Sequence, residues 1–340
     1  MTQTAASIRI SVVIPAYNRQ RWLGRAIDSV LSQERPADEI IVVDDGSTDG
    51  TGQVASGYGK RIRYIRQDNA GPSAARNAGI AAATGNWIAF LDADDQWLPH
   101  KLRLQTEHLC RHPELLWTTG NYIECLCQSD YKAPALTEER CRKTLGSGQI
   151  LDDYLRTFAA GFTGNTDTML IRRDLLEEAG GFPVDQRRFE DLDLWLKIAY
   201  RHPQVGFLST PLAIYHLEAG EHISVECEGA KTAVDLIGRH LKLAAELGRL
   251  EAFRPLAAVQ LKRWMRGMLF DRRQAGQIRR ILEEFPDLLA FRVRCSYYLL
   301  TIFPSVTSVG CHTLSKIVRL FGLRRRAIRK PVPQNHNLRK

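Results

Sequence analysis

The sequence predicts an α/β fold: a mostly parallel sheet flanked by helices, followed by a helical C-terminal extension. Over the first hundred residues, short β-branched runs alternate with stretches of helical periodicity. That is the pattern of βα units whose strands pair in parallel through right-handed crossovers. Three of the apolar runs end directly in polar segments, at residues 15–18, 44–49 and 92–95. Ligands of such sheets bind outside the carboxyl ends of the strands, so a site is expected there.

Residues 8–14, 40–43, 62–65 and 87–91 carry the strand pattern, and 21–32, 51–56 and 73–83 the helical pattern between them. Pro99 suits the first turn of a helix running to about residue 112. Residues 124–149 are polar without clear periodicity and are expected to be loops. A further strand is expected near 166–171, then a helix over 174–179 ended by Gly180 and Gly181. Residues 191–200 form a helix whose Leu192, Leu194, Trp195 and Ile198 face a core. Beyond about 226 the pattern is helical throughout, over 236–247, 256–270 and 278–285. Three parts follow: 1–225 as the α/β domain that carries the expected site, 226–303 as a helical region, and 304–340 as an amphipathic, basic tail.

Composition bounds the class. The 340 residues with 44% apolar content can bury one sizeable core. Seven cysteines in odd number, with no CxxC pair, point to reduced thiols in a cytoplasmic protein rather than to zinc or disulfides. No signal-peptide pattern opens the sequence, and no run reaches the roughly 20 apolar residues of a spanning helix. The net charge of +9 is localised: residues 291–340 hold eleven Lys/Arg and no Asp/Glu, leaving 36 basic against 38 acidic residues in 1–290.

Asp44-Asp45-Gly46-Ser47-Thr48-Asp49 joins a strand to a helix. Helix capping and acceptance of a base N–H or ribose hydroxyl both remain open for these acids. Asp92-Ala93-Asp94-Asp95 places three carboxylates in four residues behind a strand too apolar for the surface. Mutual repulsion at such a spot favours a hard cation, Mg²⁺ or Mn²⁺, bridging to a diphosphate, over helix capping. Residues 71–79 open a helix rich in small side chains, interrupted by Arg76, which could reach a phosphate or the carboxylates. Neither GxGxxG nor a Walker A loop is present, which disfavours a dehydrogenase or P-loop ATPase. Glu190-Asp191-Leu192-Asp193 begins a helix, where the dipole welcomes acids and where a general base is equally at home.

Five segments together resemble family 2 glycosyltransferases of the GT-A fold, in the family's order: 11–18 (Ser-Val-Val-Ile-Pro-Ala-Tyr-Asn), 44–49, 71–79, 90–95 and 189–195. The resemblance covers about residues 8–225 and implies an inverting transferase that uses a nucleoside-diphosphate sugar, a UDP-sugar first among them. It implies Pro15, Tyr17 and Asp45 around base and ribose, with Arg76 and Asp92 on the donor side. Asp92 and Asp94 match the metal-binding DxD pair, Asp94 making the direct contact with Mn²⁺ or Mg²⁺. Asp191 matches the catalytic base, while Glu190 and Trp195 shape the acceptor side. The family's Tyr-Arg-x-His pattern is altered to Tyr215-His216-Leu217-Glu218, ahead of His222, and both histidines are read as core or solvated.

The acceptor implied is a glycan or lipid-linked hydroxyl in cell-surface polysaccharide synthesis. A nucleotidyltransferase needs similar parts but also a basic phosphate loop near the start, where only Arg19 and Arg21 stand. A catalytically silent, membrane-tethered nucleotide-sugar-binding domain is disfavoured by the intact acids at 92, 94 and 191. Val306, Val309, Leu314, Ile317, Val318 and Phe321 recur near helical spacing before Arg324-Arg325-Arg326. This tail suits an anionic membrane surface at the cytoplasmic face or packing on the body, and no recognition module accompanies it to favour nucleic acid.

Overall fold

The computed structural model describes residues 5–126, 131–145, 149–162, 164–186, 188–217, 229–268 and 275–302. Two compact units emerge, Met1–Gln260 and Leu261–Lys340. The second contains α11 (Ala275–Glu284) and α12 (Phe291–Ile302), which pack on each other.

In the first unit the chain begins β1 (Ile10–Ala16), α1 (Leu23–Leu31), β2 (Glu39–Asp44), α2 (Thr51–Ser56), β3 (Arg63–Arg66), α3 (Pro72–Ala82) and β4 (Trp87–Phe90). All seven residues of β1 are buried, as a central strand covered on both faces requires. The parallel ladder runs β3-β2-β1-β4. The chain builds outward from β1 on one side and then crosses to the other, so the order reverses beside β1. That reversal opens a crevice at the strands' carboxyl ends. Gly79 lets α3 lie close on β1, for a Cβ there would meet Val13 Cγ1 at 2.3 Å.

Next come β5 (Gln96–Trp97), α4 (Lys101–Arg111), β6 (Trp117–Gly120), β7 (Ile123–Leu126), β8 (Tyr131–Pro134), α5 (Glu138–Leu145), β9 (Ile150–Leu151) and α6 (Tyr154–Ala159). They are followed by β10 (Leu170–Arg172), α7 (Arg173–Glu178), α8 (Glu190–Arg201), β11 (Val205–Leu208), β12 (Ala213–His216), α9 (Gly229–Glu246) and α10 (Leu250–Met268), whose residues from Leu261 belong to the second unit. The main sheet continues β4-β10-β6-β11-β9, and a second sheet has the order β5-β12-β7-β8. No helix among the described residues is long and apolar enough to cross a membrane.

Two expectations change. Residues 124–149, expected as loops, contribute β7, β8 and α5, elements of four to eight residues that are too short for periodicity to declare itself. The strand expected near 166–171 starts only at Leu170. Asn165 instead caps a 3₁₀ turn, Thr166–Thr168, by accepting from Asp167 N. β10 also runs antiparallel to both β4 and β6. Its leading turn therefore arrives beside the carboxyl end of β4.

Candidate active site

A cleft of about 670 Å³ opens where the sheet order reverses. Pro15 and Tyr17 reach it from the end of β1, Asp45 from β2, Arg76 from α3, Asp92 and Asp94 from beyond β4, and Glu190 and Asp191 from the start of α8. Of the residues that the sequence assigned to a site, Trp195 alone does not line this cleft. It is 3% exposed and packs in an aromatic cluster, its ring 6.2 Å from Phe90 and 5.6 Å from Phe182.

The acids after β2 divide their labour. Asp44 is internal, accepting from Ser47 N at 2.8 Å and the Tyr64 hydroxyl at 2.6 Å. Asp45 accepts from Gln67 Nε2 at 2.7 Å, Ala70 N at 2.9 Å and Gly71 N at 2.8 Å. It thereby pins the loop before α3 at the rim of the cleft, where Asn69 and Gly71 join the lining.

Beyond β4, Asp92, Asp95 and Asp167 offer carboxylate oxygens all within 4.8 Å of one another. The turn before β10 brings Asp167 in, its Oδ1 accepting from Asp92 N at 2.8 Å. Asp95 Oδ1 accepts from His216 N at 2.7 Å, which makes His216 a buried framework residue; His222 lies outside the described residues. Burial first, and then the charge of Asp167 on Asp95 and of Asp92 on Asp167, pushes both carboxyls well above the ordinary range. Asp95 Oδ2 and Asp167 Oδ2 are buried and meet no donor among the described residues. Hard, underserved oxygens so arranged could coordinate a divalent metal. Asp94 sits at the cleft instead, its Oδ2 3.2 Å from Arg19 Nε, while Arg25 donates to its backbone oxygen.

Arg76 bridges the two sides. It is 6% exposed, lies 2.7 Å from Asp92 Oδ1 and 3.1 Å from Glu190 Oε1, and stacks over Phe182. Burial disfavours its charge, but these carboxylates hold the guanidinium firmly protonated. Glu190 is pushed up to about 7 by burial and the charge of Asp191, against the pull of Arg76. Asp191 Oδ2 accepts from the Thr166 hydroxyl at 3.2 Å, and its Oδ1 from Leu192 N at 2.7 Å. Phe189, just ahead, adopts φ 59°, a left-handed conformation uncommon for a bulky residue and characteristic of functional turns.

Sequence reasoning missed Thr166 and Asp167. Their only signal is the Asn165-x-x-Thr168 pattern of a cap, which says nothing of which strand end they join.

The profile of Glycosyl transferase family 2 matches residues 11–178. The putative teichuronic acid biosynthesis glycosyltransferase TuaG of Bacillus subtilis is 40% identical over 229 residues, 65% of this chain and 84% of that protein. An uncharacterized glycosyltransferase of Rickettsia felis is 31% identical over 220 residues, 64% of this chain but only 34% of its own length, so the chain spans about a third of that relative. Among solved structures, S. aureus TarS 1-349 in complex with UDP-GlcNAc superposes with a TM-score of 0.67 at 18% identity, over 93% of this chain and 92% of that one. The reversed sheet order, the acids at its strand ends and the identity to TuaG over most of that protein agree: the chain belongs to glycosyl transferase family 2 and has the GT-A-like fold.

Proposed function

We propose that the chain transfers a glycosyl group, with inversion, from a nucleoside-diphosphate sugar to a hydroxyl of a glycan or lipid-linked acceptor in cell-surface polysaccharide synthesis. The observation that carries this is one cleft holding the acids that follow β2 and β4 on one side and Glu190 and Asp191 on the other. The names of TuaG and of the TarS complex with UDP-GlcNAc support the substrate class, with a UDP-sugar as the first donor to test.

Pro15, Tyr17 and Asp45 take the base and ribose, and Arg76 and Asp92 border the diphosphate. Asp92 and Asp94 would hold a cation at the cleft, Mn²⁺ or Mg²⁺, and carboxylate oxygens of Asp95 and Asp167 lie within 4.8 Å of one on Asp92 to complete the donor set. When bound, that cation neutralises charge on the departing nucleoside diphosphate. Asp191 accepts the proton of the acceptor hydroxyl as the acceptor oxygen bonds to the anomeric carbon and the carbon–phosphate oxygen bond breaks. A single displacement of this kind inverts the centre. Thr166 and Leu192 N fix the orientation of the Asp191 carboxylate, leaving it aimed before substrate arrives. Glu190 shapes the acceptor side, and Trp195 acts on it only through the packing under Phe182. The basic tail places the enzyme on the cytoplasmic face of an anionic membrane.

Asp191→Asn tests the assignment, because the amide keeps the shape and an oxygen acceptor for Leu192 N and Thr166 while removing the basic carboxylate. Transfer should fall by about 10²–10⁴-fold, the usual worth of a general base. Nucleotide and Mn²⁺ binding, read by thermal shift, should stay near wild type, whereas Asp45→Asn should weaken nucleotide binding first. Transfer at the wild-type rate by Asp191→Asn would remove Asp191 from the mechanism.

A further inference from the structure

Helix α9 lies outside the matched family profile and outside every motif read from the sequence, yet two adjacent side chains of it reach residues on either side of the Glu190-Asp191 pair. Arg239 donates to Gln186 Oε1, and Gln186 Nε2 donates to the Arg188 backbone oxygen at 2.7 Å. Arg188 and Phe189 both line the cleft immediately before Glu190. Beside it, His240 Nε2 lies 3.1 Å from Asp193 Oδ1, in the first turn of α8, and His240 Nδ1 lies 2.9 Å from the Tyr200 hydroxyl. His240 and Asp193 are 1% and 4% exposed at their side chains, so this contact is made without competing water. Lys197 closes on the other Asp193 oxygen at 2.6 Å, and Arg239 adds a longer contact to Asp193 at 3.4 Å. Burial alone would raise the Asp193 carboxyl, but hydrogen bonds from His240 and Lys197 hold it below the ordinary range.

The two branches end on either side of the acids. One grips the backbone just before Glu190, where Phe189 sits in its uncommon conformation. The other grips Asp193, two residues after Asp191. A left-handed Phe persists only where its surroundings over-determine it, and Gln186, held by Arg239, adds one such constraint at the preceding carbonyl.

We propose that Arg239 and His240 of α9 are positioning residues that hold the start of α8, and with it Glu190 and Asp191, in register with the cleft. The proposal rests on the glycosyltransferase reading for its catalytic consequence but not for its structural one. α9 is thereby part of the active site without touching substrate.

The test uses the full-length chain with Arg239→Ala, Arg239→Lys and Gln186→Ala, chosen because Arg239 is half exposed and its loss leaves the core packed. Hydrogen exchange of peptides spanning residues 186–193 should quicken about tenfold in both alanine variants, while peptides spanning 39–45 stay as in wild type. With any donor that the wild type turns over, kcat should fall by about 10- to 100-fold, the cost of misplacing a reacting group by about 1 Å. Nucleotide Kd should change far less than kcat, since Pro15, Tyr17 and Asp45 are untouched and Arg76 keeps its contact with Asp92. Arg239→Lys should recover part of the loss, and the double alanine variant should be no worse than the poorer single, as two members of one path require. Unchanged exchange over 186–193, additive losses, or parallel loss of nucleotide binding would overturn the proposal. A wild type that transfers no sugar would defeat the enzymatic reading instead, and the exchange experiment would still decide the clamp.

Discussion

Asp167 has no exposed surface, and its carboxyl is pushed up to about 7, by burial and then by the charge of Asp92. The folded form therefore keeps its proton between the ordinary carboxylate value and pH 7, where the unfolded chain has lost it. Stability falls as pH rises through that window, and the full cost remains above it. Asp167→Asn removes the cost. Without metal, the variant should melt at least about 2 °C above wild type at pH 8, with a clearly smaller gap at pH 5, where only the lower part of the window has been crossed. With saturating Mn²⁺ the order at pH 8 should reverse, because an amide neutralises nothing. Differential scanning fluorimetry at both pH values, with chelator and with Mn²⁺, decides it; equal melting at pH 8 in chelator would show that Asp167 carries no buried charge to relieve. Asp45, Asp92 and Asp191 are legible in the sequence because each follows an apolar strand or opens an amphipathic helix. Asp167 is not, since nothing in residues 166–171 discloses that β10 runs against its neighbours. Trp195 illustrates the converse: a motif match names the position, but burial among Phe90 and Phe182 decides what the ring touches.

Elements in the first hundred residues are legible because mostly apolar strands of four to seven residues alternate regularly with helices, and β1, β2 and β4 run directly into polar or acidic segments. The βα alternation also dictates the parallel ladder, and with it the crevice. From β5 onward the strands shrink to between two and four residues and come from both directions, so neither period nor polarity marks them. α9 and α10 are plain as helices, but their attachment is not, because helical periodicity shows a buried face without naming what it covers. Val234, Leu236 and Ile237 on α9, and Phe253 and Leu256 on α10, are almost wholly buried, and the Phe253 ring lies 5.9 Å from both Tyr200 and His240. At about 1.5–3 kcal/mol for each large side chain, removing them withdraws on the order of 10 kcal/mol, comparable to the whole stability of a domain. A protein ended at residue 225 should therefore be insoluble, or lack a cooperative melt and near-UV circular dichroism, while the full chain shows both. A cooperative melt and nucleotide binding by the 1–225 protein would mean that α9 and α10 are an appendage rather than part of the catalytic body.

Across the molecule, charge and apolar exposure coincide at one end. Residues 1–290 are close to neutral, whereas the last fifty carry eleven basic residues and no acid. Most of that segment, residues 303–340, lies outside the described part of the fold, but α12 leads into it. One side of α12 is inward, with Tyr297 and Thr301 buried, and the other presents Phe291, Tyr298 and Leu299 at 76%, 47% and 58% exposed. The spacing i, i+7, i+8 puts those three on one stripe, which Arg292 flanks. Apolar side chains beside a strongly basic, acid-free segment suit the boundary between anionic headgroups and acyl chains, where partitioning and charge attraction add. The full chain should therefore co-sediment with vesicles of phosphatidylcholine containing phosphatidylglycerol, and much less with phosphatidylcholine alone. Binding should weaken as salt rises, because the attraction is screened beyond about 10 Å at 0.1 M. Deleting residues 304–340 should remove most of the salt-sensitive part, and Leu299→Ser should lower what remains at high salt. Neither change should move nucleotide affinity, since the residues lining the cleft run from Pro15 to Tyr215. If the full chain ignores anionic vesicles even at low salt, the stripe and the basic segment serve a protein contact, and the membrane placement of the enzyme falls with them.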